Sequence, residues 1–321
     1  MKRIGRLPAD ARAIVAGDRK ALARVISGVE NRDETQLGTL RALYSRTGRA
    51  RVIGITGPLG VGKSSVINDL VKLLRAEGKR VGVVAVDPTS PFSGGSVLGD
   101  RIRIERRPDD DGVFMRSMAS RGESGGVSAA TRDTVRLLDA AGFDVVLVET
   151  VGSGQVEVDI RQVASSNVVV VVPQLGDEVQ TLKAGLFEIA DVFCLNKSDL
   201  PGADSAKRDY AELVSLGLTP EGWRPIVVST STLTGEGITQ LWASIQAHEE
   251  FLDRRGVRKE RDRLRAQEEI FQLLRDRVAR QLEDEVSRAP SFQGEVDRVA
   301  RREVDPHTAA DRLFKKFSMA N

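Results

Sequence analysis

One cysteine and two histidines in 321 residues leave little with which to hold a soft or borderline metal. Cys194, His248 and His307 stand apart along the chain, whereas zinc, nickel and copper sites need thiolate and imidazole ligands in clusters. A single cysteine forms no internal disulfide, so the chain fits a reducing compartment, with the cytoplasm as the default. Aromatic residues are 4% of the chain, too sparse for a base-stacking platform on nucleic acid. Hydrophobic runs are short. The longest, residues 168–172, stops at Pro173, far below the roughly 20 residues that a membrane helix needs. Lys2, Arg3 and Arg6 lead into no apolar segment, so no secretory signal is read. Neither sign of charge dominates, with 48 Lys and Arg against 46 Asp and Glu. The densest basic stretch, 254–288, interleaves arginine with Glu260, Asp262, Glu268 and Glu269, as a solvated helix face does. Neither nucleic acid nor membrane is expected as a partner.

What is present suffices for an enzyme-sized core, at 40% hydrophobic residues. Periodicity divides the chain into an N-terminal helical segment (1–48), a middle domain (49–247) and a C-terminal helical arm (248–321). In the first, Asp18 is placed to cap a helix whose apolar face carries Leu22, Val25, Ile26 and Val29, and a second stripe follows at Leu37, Leu40 and Leu43. The middle holds buried-strand runs at 51–56, 80–86, 144–149, 167–172, 191–196 and 225–229, separated by helical patterns. That alternation predicts an α/β fold with a mostly parallel sheet covered on both faces. Beyond 248 only helical spacing remains, with Leu264, Phe271, Leu274, Val278, Leu282 and Val286 on one stripe.

The most informative stretch is Gly57-Pro58-Leu59-Gly60-Val61-Gly62-Lys63-Ser64, which fits G-x-x-x-x-G-K-[ST] between a predicted strand and a predicted helix. Its glycines let backbone N–H groups converge on phosphate oxygens, and the helix start adds partial positive charge. The expected nucleotide-binding set here is Gly57, Gly60, Val61, Gly62, Lys63, Ser64 and Ser65. Lys63 reaches the outer phosphates and Ser64 offers its hydroxyl to magnesium. Both belong to a P-loop NTPase.

The base is read elsewhere. Asn196-Lys197-Ser198-Asp199 follows an apolar strand, and a carboxylate there accepts from both the ring imino N–H and the exocyclic amine of guanine. Adenine lacks that pair of donors. Asn196 is placed for the opposite base edge, the Lys197 stem for the ring plane, and Ser231, Thr232 and Leu233 for further base contact. Asp87 and Glu149 end predicted strands beside the P-loop, where they are candidates to hold magnesium.

Together, V-D-P-T-S-P-F-S-G-G-S-V-L-G-D (86–100), E-T-V-G-S-G-Q (149–155), P-Q-L-G-D-E-V-Q-T-L-K (173–183), N-K-S-D and the closing D-P-H-T-A-A-D-R-L (305–313) resemble the MeaB/ArgK/MMAA family of P-loop GTPases. The resemblance implies GTP and GDP as ligands with Mg2+, slow hydrolysis stimulated by a partner, and a homodimer held by the C-terminal arm. It implies a chaperone of adenosylcobalamin-dependent acyl-CoA mutases such as methylmalonyl-CoA mutase, which gates cofactor loading and protects or reactivates the mutase. It makes 88–103 the first switch, with Asp87 and Asp100 at the metal, 149–159 the second, and 174–183 the third. Lys183 then matches a lysine linked to mutase-stimulated hydrolysis. Gln155, three residues past Gly152, is the candidate for orienting water. One departure stands out: a proline-glycine-alanine-glycine turn of the family is Pro173-Gln174-Leu175-Gly176 here, which implies a third switch that is stiffer or tuned to another partner. The alternative reading is a P-loop kinase of a small molecule or protein, suggested by the older transport-kinase label of the ArgK proteins. It would need an acceptor pocket and a base that no other motif supplies.

Overall fold

The computed structural model describes residues 7–87, 110–119, 129–150, 160–173, 186–215, 219 and 221–320. They form two compact units, residues 1–257 and 258–321. The expected boundary at 247 falls inside a helix whose second half still belongs to the first unit.

Among the described residues of the first unit run seven parallel strands: β1 (Arg51–Thr56), β2 (Val81–Asp87), β3 (Val113–Ala119), β4 (Val145–Thr150), β5 (Ser166–Val171), β6 (Val192–Leu195) and β7 (Ile226–Ser229). Their spatial order is β3-β2-β4-β1-β5-β6-β7. β1, which feeds the P-loop, therefore lies between β4 and β5, and the ends of β1, β4 and β6 share one edge. β3 was not expected from the sequence. Its polar Arg116 and Ser117 interrupt the apolar run, which suits an edge strand paired on one side only, to β2.

The continuous apolar strands follow from burial on both faces. On β4, Val146 and Val148 pack with α1 (Ala9–Val15), α2 (Arg19–Glu30), α3 (Glu34–Leu43) and α5 (Ala129–Ala140). Val145 and Leu147 point the other way, toward α4 (Lys63–Ala76) and toward Ile238, Leu241 and Ile245 from a later helix. The Asp18 carboxylate caps α2, accepting from the Lys20 and Ala21 N–H groups, and Leu22, Val25, Ile26 and Val29 are all buried. The N-terminal helices are thus part of one sheet face, since an amphipathic stripe of that size needs an apolar surface to cover it.

Among the described residues, the helices α6 (Leu186–Ile189) and α7 (Ala203–Ser215) come next, and then α8 (Ile238–Arg254) closes the first unit. The second unit is helical: α9 (Val257–Arg288), α10 (Pro290–Ala300) and α11 (Pro306–Ala320). Leu264, Phe271, Leu274 and Val278 of α9 are each about half exposed or more. Among the described residues, no helix is long and apolar enough to cross a membrane.

Candidate nucleotide site

The turn between β1 and α4 is fixed by two glycines. Gly57 has φ +136°, and a Cβ there would stand 2.2 Å from the Val170 carbonyl oxygen on β5. Gly62, the N-cap of α4, has φ +94°. A Cβ on it would meet the Asn196 side-chain nitrogen at 2.4 Å. Only glycine fits either position without strain. With no capping side chain on Gly62, the first N–H groups of α4 are presented to a ligand, as anion-binding helix starts require.

Lys63 is buried, and its ammonium donates to the carbonyl oxygens of Gly57 at 2.7 Å and Pro58 at 2.8 Å. A cation curled under the loop in this way lies where phosphate oxygens would compete for its protons. Beside it, Ser64 Oγ donates to Glu149 Oε1 at 2.9 Å, joining the start of α4 to the end of β4. A hydroxyl and a buried carboxylate brought together are hard oxygen donors, the set that Mg2+ selects. Asp87 ends β2, the strand next to β4. Asp100, Gln155 and Lys183 lie outside the described residues.

Base-reading residues sit where β6 and β7 end. Ser231 Oγ donates to Asp199 Oδ1 at 2.5 Å, which fixes the carboxylate expected to read guanine. Lys197 adopts φ +57°, a left-handed conformation rare for its type, and its ammonium reaches the Gly60 carbonyl at 3.0 Å. The sequence places Asn196 on the base edge. In the structure it is fully buried, and its amide donates to the Val61 carbonyl at 2.9 Å while its oxygen accepts from Thr230 Oγ1 at 3.3 Å. Thr232 is half-buried and Leu233 exposed on the same turn.

Sequence reasoning missed Thr230, Thr56 and Thr150. Thr230 lies 3.1 Å from Cys194 Sγ, and burial pushes that thiol up to about 12. Thr150 Oγ1 donates to Thr56 Oγ1 at 2.9 Å, both buried, so the ends of β4 and β1 are tied directly beneath the P-loop. Their only signal was position, since each is the residue at or just past a strand end that leads into a nucleotide motif.

The comparisons with known proteins agree with this geometry. The sequence pattern of the family described as methylmalonyl-CoA mutase-associated GTPase MeaB matches residues 22–287. The chain belongs to this family. A Pyrococcus abyssi protein named a GTPase by inference is 49% identical over 94% of both chains. The mouse mitochondrial protein named methylmalonic aciduria type A homolog is 31% identical, covering 95% of this chain and 78% of its own. A crystal structure titled LAO/AO transport system kinase shares the fold, with TM-score 0.71 at 24% identity over 96% of both chains. The fold is that of a P-loop NTPase, and membership of this GTPase family carries guanine-nucleotide binding with it.

Proposed function

We propose that this protein is a GTP-hydrolysing chaperone that gates adenosylcobalamin loading of an acyl-CoA mutase and protects or reactivates that mutase. The observation that carries the nucleotide part is the Asn196–Val61 hydrogen bond, which joins the loop expected to read the base to the phosphate loop. Support for the mutase part is the family name and the name of the mouse relative.

In this reading Lys63 leaves the Gly57 and Pro58 carbonyls and neutralises the outer phosphates, while the N–H groups at the start of α4 orient them. Asp199, held by Ser231, accepts from guanine. Ser64 and Glu149, with Asp87 and Asp100, would hold Mg2+, which would supply charge neutralisation to the phosphates when bound. The second and third switches contribute Gln155 and Lys183, and the partner orders them, so turnover is slow alone and faster with the mutase. Charge stabilisation supplied in trans is worth roughly 10³–10⁵ in rate.

The test is turnover with and without the mutase recovered from the same cell by affinity capture on this protein. Stimulation in the native protein and its loss in Lys183→Ala, with basal hydrolysis unchanged, is the expected result. Capture of an unrelated enzyme, or label transferred from GTP to an acceptor, would replace this reading with another.

A further inference from the structure

At the amino edge of the sheet, opposite the P-loop, lies a second polar cluster. Ser166 Oγ is 2.7 Å from His248 Nδ1, and His248 Nε2 is 3.3 Å from Asp191 Oδ1. The serine–histidine–aspartate order looks like that of a hydrolase, yet nothing can reach it. Ser166 and His248 are fully buried, and Ser166 Oγ also donates to Glu249 Oε1 at 2.5 Å.

The protons in this cluster can be counted. A serine has one hydroxyl proton to give. Were it given to Nδ1, Ser166 Oγ and Oε1 of Glu249, a carboxylate held ionised by its pair with Arg51, would face each other as two acceptors 2.5 Å apart. Given to Glu249, it leaves Nδ1 to donate to Ser166. The other ring nitrogen faces Asp191, whose Oδ2 accepts from the Asn167 backbone N–H at 2.8 Å and from its side-chain amide at 3.2 Å, the environment of an ionised carboxylate. A bare lone pair on Nε2 would oppose that anion in a dry site, whereas a proton there makes a charge-assisted contact.

We propose that His248 is a buried imidazolium, a proton-operated lock that fastens α8 to the amino edge of the sheet. The charges facing it close the balance. Asp191 lies just before β6, and Glu249 on α8 accepts from Arg51 of β1 at 3.1 Å and from Ser165 at 2.6 Å. Arg51 also reaches Asp253 at 2.9 Å. The rings of Trp223 and Phe251 cover the imidazole, and Trp223 Nε1 donates to the Asp191 carbonyl at 2.9 Å. Because α8 starts at Ile238, just past the Ser231–Glu236 bridge, the helix that this lock fastens is the one that continues from the base-reading turn.

Such a fold holds the proton more tightly than water does. The stability it supplies is complete below the reference value of an unfolded imidazole, about 6.5, and is lost as the pH rises through the point where the buried ring releases its proton. The test uses the native full-length protein labelled with 15N at its two histidines, His248 and His307, with free histidine in the same buffer as the reference. At about pH 8 an imidazole free in water is almost wholly neutral, whereas the His248 ring is expected to carry two protons. A His248 ring with one proton at that pH overturns the proposal. In a second arm, the urea midpoint of the native protein falls from about pH 7 to about pH 10 more steeply than that of His248→Gln, which cannot titrate. Equal slopes also overturn it, and if the variant does not fold, the spectrum of the native protein decides.

Discussion

Asn196 and Val61 are joined by one hydrogen bond, side-chain amide to backbone carbonyl, across 135 residues of sequence. Because both groups are buried, cutting the bond leaves an unsatisfied carbonyl in the P-loop and takes from the Thr230 hydroxyl its oxygen acceptor, leaving it the Cys194 thiol. Asn196→Ala is expected to cost about 1–3 kcal/mol, which is about 5- to 150-fold in GDP affinity if the loss falls on the bound state. Calorimetry with GDP measures it, and an unchanged affinity would show that the two loops act independently.

Asp199→Asn turns one acceptor into a donor opposite the guanine edge and disturbs the bond from Ser231. Affinity for GDP should fall while that for xanthosine diphosphate, which carries an oxygen where guanine carries its amine, should rise. Titration with GDP, xanthosine diphosphate and ADP separates the cases. Equal binding of GDP and ADP by the native protein would refute guanine reading altogether.

Lys63→Ala removes the buried ammonium, and Glu149→Ala removes the acceptor for Ser64. Both are expected to lower GTP hydrolysis at least tenfold with the far-UV circular dichroism unchanged. The second variant should also lose the dependence of nucleotide affinity on Mg2+. Hydrolysis at the native rate in either would move the site elsewhere.

Cys194 is fully buried with its thiol pushed up to about 12, so at neutral pH almost none is thiolate. Native protein is expected to resist maleimide labelling, and denatured protein to take one equivalent per chain. Rapid labelling in the native state would mean that β6 opens readily.

Truncation after residue 255 removes the second unit and its exposed Leu264, Phe271, Leu274 and Val278. We expect a full-length dimer and a truncated monomer that still binds GDP, because the described site residues lie between Gly57 and Leu233. Light scattering decides, and a full-length monomer would defeat the arm as a dimer contact.

The local devices were legible in the sequence because their causes are local. Asp18 caps α2 through bonds to residues two and three ahead. The strand runs of β1, β2, β4, β5 and β6 show because an inner strand covered on both faces is mostly apolar along its length, and that of β7 shows because Ile226, Val227 and Val228 are β-branched. The P-loop shows because its glycines meet steric demands at fixed spacing, although what crowds Gly57 and Gly62, Val170 and Asn196, comes from other strands. β3 was hidden because an edge strand tolerates polar residues such as Arg116, which pairs with Glu30. Strand order lay beyond reach of any pattern, and it alone decided the rest. By placing β1 between β4 and β5, with β6 next, it set Thr56 against Thr150. It also turned Asn196 inward to Val61, and it closed Ser166, Asp191, His248 and Glu249 into one charged cluster under α8. Such contacts join residues far apart in the sequence, on elements whose neighbours are set only as the sheet forms, so they belong to the folded chain and to no segment of it.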